Sequence, residues 1–388
     1  MAYRPYRGRR RRGSGVGLAL GVLAAGALAV GVSWYFYLPI SASPGARASA
    51  NEVRDDRRIS GPPPPLADVL ARGRHAFHAG RWTDAEEQFS LAAEVAPASG
   101  EAQTGWARSL LNQNRLVPAI ERARRAVELD GRSADAHAVL AVALDWSGDI
   151  EPAVAVARRA VELDASSVAA HAALAEALTD SYLLDEADDA LARAVELDPM
   201  DPDVWRVTGN LFEMRSDYQA AVGAYERAIE LAPHYSYLHV SLGHAQRAQQ
   251  RYAEALGAFA TAASLAPTDA RAMGGMGMVY AARLEYVPAS AHFERAIDID
   301  PTYATAYAQL AWLHYARREY AQAAPLFERA AELDHDNERG AQYRHALGWI
   351  LVNAGRPAEA REQFKRSLEL DPSLRGARDG LAAVQAAR

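Results

Sequence analysis

The 388-residue sequence predicts an all-α fold: an α-α superhelix of about nine helix pairs, with one membrane-spanning helix before it and a capping helix after it. Three observations predict this. Small residues recur every 34 positions from Leu66 onward, apolar residues within each period keep helical spacing, and an uncharged apolar stretch lies near the N-terminus. Half of the residues are hydrophobic and 23% are charged, which argues against wholesale disorder. The absence of cysteine excludes disulfide frameworks, thiolate metal sites, a cysteine nucleophile and a lipid-bearing N-terminal cysteine.

The net charge of −7 averages two unlike segments: residues 1–50 hold seven Arg and no acid, and the rest of the chain carries −14. Residues 1–12 form a basic head with Arg4, Arg7 and Arg9 to Arg12. Residues 13–40 follow without a charge, and their apolar part, Val16 to Leu38, is long enough to cross a bilayer as a helix. Trp34, Tyr35, Phe36 and Tyr37 gather at its far end, where amphipathic rings favour the headgroup boundary. The Arg bias predicts a single-pass protein of the cell (inner) membrane, its N-terminus cytoplasmic and its repeats outside the cytoplasm. A cleaved signal peptide ending near Ala48-Ser49-Ala50 is the alternative. Gly13, Gly17, Gly21, Ala25, Ala29 and Ser33 share one face of the span, a small-residue ridge suited to self-association in lipid. Residues 41–65 read as a linker, stiffened by Pro62 to Pro65.

Residues 66–372 carry the repeat. Ala85, Ala119, Ala153, Ala187, Ala221, Ala255, Ala289 and Ala323 stand 34 residues apart, and Ala360 follows a three-residue insertion. A second ladder runs from Ala92 through Ala330 to Ser367, and a third through Gly73, Ala107, Ala141, Ala175, Gly209, Gly243, Gly277, Ala311 and Gly348. Each unit holds two helical stretches, and small residues in both let them cross closely. Proline stops the second helix at Pro97, Pro199, Pro233, Pro267, Pro301 and Pro372. One pair cannot bury its apolar face alone, so neighbours must stack. Residues 373–388 read as the capping helix.

The fifth unit shows the pattern most fully, with Trp205, Gly209, Phe212, Tyr218, Ala221, Tyr225, Ala228 and Pro233. In these residues the units resemble tetratricopeptide repeats. Units two to four depart, with Ala123, Ala157 and Leu191 replacing the large aromatic of the second helix.

The resemblance implies a groove lined by the first helix of each pair, which in this family binds peptides or protein segments. Transferred position by position, its middle is acidic, with Asp135, Asp145, Glu176, Asp180, Asp203 and Glu213. A polar-basic band follows, made of Arg206, Asn210, His244, Arg247 and Arg271. An apolar-aromatic end comes last, made of Met278, Trp312, Tyr315, Trp349 and Val352. Arg206, Asn210 and Arg271 fall on positions of the family's carboxylate clamp, but Ser241 replaces an Asn and Gly275 replaces a basic residue.

No catalytic constellation stands out. His137, His171 and His239 repeat one structural position, which predicts packing rather than metal ligation, and His75 with His78 lacks a third ligand. The Gly274-Gly275-Met276-Gly277 cluster lies on a helix, not after a strand, so it is no phosphate loop. The acidic solenoid argues against nucleic acid as a partner. The expected activity is that of a membrane-tethered scaffold, without cofactor, metal or catalysis, binding protein or peptide partners in its groove during assembly of an envelope complex. The alternative is an integral structural subunit of one large membrane complex.

Overall fold

The computed structural model describes residues 64–334 and 338–386. The basic head, the apolar span and the linker up to residue 63 lie outside the described residues, as do the membrane topology and self-association expected of them. Among the described residues no helix is long and apolar enough to cross a membrane.

Nineteen helices follow one another among the described residues. They are α1 Leu66–His78, α2 Trp82–Val95, α3 Gly100–Asn112, α4 Leu116–Leu129, α5 Ala134–Ser147, α6 Ile150–Leu163 and α7 Val168–Asp180. Next come α8 Leu184–Leu197, α9 Pro202–Met214, α10 Tyr218–Leu231, α11 Ser236–Ala248, α12 Tyr252–Leu265 and α13 Ala270–Ala282. The last are α14 Tyr286–Ile299, α15 Ala304–Ala316, α16 Tyr320–Leu333, α17 Glu338–Asn353, α18 Pro357–Leu370 and α19 Arg375–Ala386. Odd-numbered helices up to α17 open a repeat and even-numbered ones close it. The extra residues before the ninth repeat are absorbed at the start of α17, which has 16 residues where the earlier opening helices have 13 or 14.

Local chemistry marks each boundary. Ser99, Ser133 and Ser167 cap opening helices by accepting the N–H of Ala102, Ala136 and Ala170. Between repeats, Asp130, Asp164, Asp198, Asp300 and Asp371 each accept the backbone N–H two residues on, closing the turn. Within repeats, the turn from first to second helix needs one residue with positive φ. Gly80, Asn114, Gly148, Tyr182, Ser216, Gln250, Leu284, Arg318 and Gly355 supply it, in register with the 34-residue period. At Asn114 the next N–H, that of Arg115, reaches back to the Leu110 carbonyl at 2.9 Å, the Schellman closure that this conformation permits.

The histidine position of the repeats also has a structural task. The ring nitrogen or hydroxyl of His171, Trp205, His239 and Tyr307 bonds the carbonyl six residues upstream, at 3.0, 2.8, 3.1 and 3.3 Å. His137 instead bonds the Ser133 carbonyl, at 2.8 Å.

The core is a column of side chains from the closing helices, each inserted between two opening helices. Phe259, fully buried, lies over Gly243 of its own repeat and Gly275 of the next. Phe364 sits between Gly348 and Gly380 in the same way, and Phe89 between Gly73 and Gly105. Where the column residue is Ala123 or Ala157, the flanking positions carry Ala107 with Val139 and Ala141 with Ala173, all buried. Val139 restores much of the volume lost at Ala123, but around Ala157 all three positions are alanine, so the opening helices must approach more closely to stay packed. In that alanine-rich stretch, α3, α5, α7 and α9 pack directly on one another, whereas contacts between opening helices thin out from α9 onward.

Candidate protein-binding groove

The opening helices place every residue of the expected groove, yet its parts differ sharply in what they expose. In the middle, Arg206 is only 6% exposed and forms a bidentate pair with Glu176, at 2.5 and 2.7 Å. Its Nε donates to Asp203 at 3.2 Å, and its guanidinium lies 5.5 Å from the Trp146 ring centroid. Trp146 donates to Glu176 at 3.0 Å and Tyr237 donates to Asp203 at 3.0 Å, so both carboxylates are held from two sides. Asn210 accepts the Tyr225 hydroxyl at 2.7 Å. The structure therefore brings together Glu176, Asp203 and Arg206, from two adjacent repeats. It adds Trp146 and Tyr237, which stand in register with the groove positions Asp180 and Asp203 but were not among the expected groove residues.

Beside this network, Asp145 is 1% exposed and its carboxyl faces Asp180. Burial, reinforced by Asp180, pushes the Asp145 carboxyl well above the ordinary carboxylate range. Burial and the nearby Glu176 push Asp180 up to about 7. Burial raises Glu213 to about 7 as well, against the pull of Arg247. Burial thus favours the protonated forms of Asp145, Asp180 and Glu213 within the acidic middle.

The basic band divides into separate local settings. Arg271 turns back onto Asp269, the cap of its own helix, at 2.6 to 3.0 Å, and is 6% exposed. Arg247 is 7% exposed; burial lowers its pKa to about 10, with Glu213 opposing. His244 packs edge-on against Phe259 at 5.0 Å, and burial plus Arg247 pushes its pKa down to about 3, which keeps it neutral. Arg206 and Arg271 thus answer to different acids and do not converge on one point. At the position where a clamp needs a basic residue, a methyl group on Gly275 would already lie 2.3 Å from the Phe259 ring.

The aromatic end is different. Met278 is 8% exposed, but Trp312, Tyr315, Trp349 and Val352 are only half-buried. Trp312 stands edge-on to Phe327 at 5.0 Å and to Tyr315 at 5.5 Å. Trp349 stands edge-on to Phe364 at 5.5 Å and donates its N–H to His345 Nε2 at 3.0 Å. Burial lowers the His345 pKa, consistent with a neutral ring accepting that bond. Each indole is thus fixed by one core ring while part of it stays open, a pre-set orientation suited to apolar contact.

Among the described residues no group of three or more His, Asp or Glu is arranged to hold a metal ion. A cavity of about 280 Å³ lies between repeats three and four, lined by Arg158, His171, Leu174, Leu178, Glu186 and Arg193 among others. Its polar rim is already joined by the Arg158–Glu186 pair at 2.5 Å.

Comparison with known proteins agrees with this architecture. Two tetratricopeptide repeat models match, one over residues 302–373 and the other over residues 70–134, 173–236 and 240–304. The unmatched stretch at 135–172 is alanine-rich, yet it folds as the same helix pair. A chain in the crystal structure of the APC/C hetero-tetramer Cut9-Hcn1 is similar, with a TM-score of 0.59 over 78% of this chain at 16% sequence identity. The match spans 59% of that chain, so the likeness concerns the fold. No curated protein matches by sequence. The second repeat model alone covers half of the sequence, and the chain belongs to the tetratricopeptide repeat family.

Proposed function

We propose that the protein is a membrane-tethered scaffold that captures an apolar segment of a protein partner at the C-terminal end of its groove. The observation that carries the reading is the half-buried aromatic surface of Trp312, Tyr315 and Trp349, which contrasts with the ion-paired arginines Arg206 and Arg271. Aromatic side chains that lose their remaining exposure on association are frequent centres of binding energy. The basic head and apolar span support anchorage in the cell membrane, with the N-terminus cytoplasmic and the repeats outside the cytoplasm. The small-residue ridge of that span would allow two copies to pair. In this reading the chain organises an envelope complex and performs no chemistry of its own.

The test is cross-linking in native membranes with the full chain, followed by capture and identification of bound proteins. Trp312→Ala with Trp349→Ala is expected to lower recovery of the bound partner at least tenfold at unchanged expression. Equal recovery with both substitutions refutes the assignment of the aromatic end. Release of the chain from membranes by carbonate refutes the tether.

A further inference from the structure

The first repeat touches the chain again at the start of the sixth. In a solenoid each repeat ordinarily contacts only its neighbours, so a contact across four intervening repeats demands its own explanation. Trp82, which opens α2, is 7% exposed and meets Phe77 edge-on at 4.9 Å. On its other side it meets Tyr235 edge-on at 4.8 Å, and Tyr235 leans on Tyr237 at 5.6 Å. Trp82, Ala228, Ala232, Tyr235, Tyr237 and Leu238 form one buried apolar cluster. The backbones approach as well: a methyl group on Gly80 would lie 2.9 Å from the His234 carbonyl oxygen.

The contact follows from the alanine columns. With Ala123 and Ala157 in place of rings, the opening helices of repeats two to five close up on one another. That inward tightening brings repeat one back to the start of repeat six. The contact is also wired to the buried charges of the groove. Tyr235 touches Tyr237, Tyr237 bonds Asp203, Asp203 bonds Arg206, and Arg206 pairs with Glu176.

We propose that Phe77, Trp82 and Tyr235 form an intramolecular latch that holds the groove across repeats one to six at a single width, and whose release loosens the Asp203–Arg206–Glu176 network. The latch does not depend on the identity of any partner.

The chain contains no cysteine, so single labels can be placed without background. Spin labels at His78→Cys and Glu226→Cys, both exposed positions, report the gap across the latch in the full chain. One narrow distance distribution is expected, broadening toward longer separations when Trp82→Ala and Tyr235→Ala are added. Hydrogen exchange in Val168–Asp180, which carries Glu176, is expected to rise about tenfold in the same variant. An unchanged distance distribution overturns the latch, as does faster exchange confined to Leu66–Val95. Tyr235→Ala alone leaves the helix pair of repeat one intact. It should still broaden the distribution, and failure to do so with a folded first repeat overturns the proposal.

Discussion

Replacing Gly275 by alanine tests the packing rule that organises the whole array. Three atoms of the Phe259 ring would lie 2.3, 2.5 and 2.6 Å from the new methyl group. Ordinary carbon contacts are about 3.5–4.0 Å, so the ring or the α13 backbone must move by roughly 1 Å. Phe259 is fully buried, and neighbouring repeats leave it little room to turn. Overpacking of this kind costs about 1–3 kcal/mol, while Gly→Ala inside a helix returns up to about 1 kcal/mol. The net expectation is a loss of about 1–2 kcal/mol. Gly257→Ala is the control: it also lies in a helix, but a methyl group there meets nothing within 4 Å. That substitution should stabilise by about 0.5–1 kcal/mol. Melting followed by circular dichroism at 222 nm should therefore move in opposite directions for the two variants. Phe259→Leu should recover part of the Gly275→Ala loss. If Gly275→Ala melts at or above the parent temperature, the column does not have the rigidity argued for it, and the packing reason for the missing clamp residue falls with it.

Further predictions concern strain, charge and pH. Leu284 holds a positive φ with a 71% exposed side chain, so Leu284→Gly should stabilise by up to about 1 kcal/mol, read from a denaturant midpoint. Glu176→Ala leaves the Arg206 guanidinium buried without its bidentate partner and should cost about 3–5 kcal/mol, whereas Glu176→Met with Arg206→Met should cost much less. Asp145, Asp180 and Glu213 all have folded pKa values above their unfolded ones, the last two at about 7. Their contribution is fully present below the unfolded carboxylate values and is lost as pH rises through the folded ones. The melting temperature should therefore fall between pH 5 and pH 8, and Asp145→Asn should flatten that slope. A slope unchanged by this substitution would remove Asp145 from the titrating set.

The repeat was legible because it is local and recurs nine times. Small residues and helix-stopping prolines each act within a few positions, so their spacing in the chain mirrors their spacing in space. Even so, the positive-φ column escaped detection, because only Gly80, Gly148 and Gly355 of its nine members are glycines. The glycine cluster at 274–277 lies on a helix, as the repeat period predicts, but its cause is visible only in three dimensions. Gly274 makes room for Tyr303, Gly275 for Phe259 and Gly277 for Phe293. The candidate site is less legible in the sequence. Arg206 and Arg271 stand on groove positions, but the acids that engage them depend on side-chain reach, which repeat position does not encode. Trp146 stands in register with Asp180, and Tyr237 with Asp203 and Arg271, so the period places both in the groove; their signal is the register, and only the bonds they make to Glu176 and Asp203 needed the structure.

By itself, then, the sequence determined the repeat unit, its number and its family, because nearest-neighbour stacking is written in short-range periodicity. Tertiary structure decided which groove residues are spent on internal pairs and which remain open. It also decided that repeat one returns to Tyr235, since that meeting sums small helix-to-helix displacements over several alanine-packed repeats. No single interval in the sequence carries that sum.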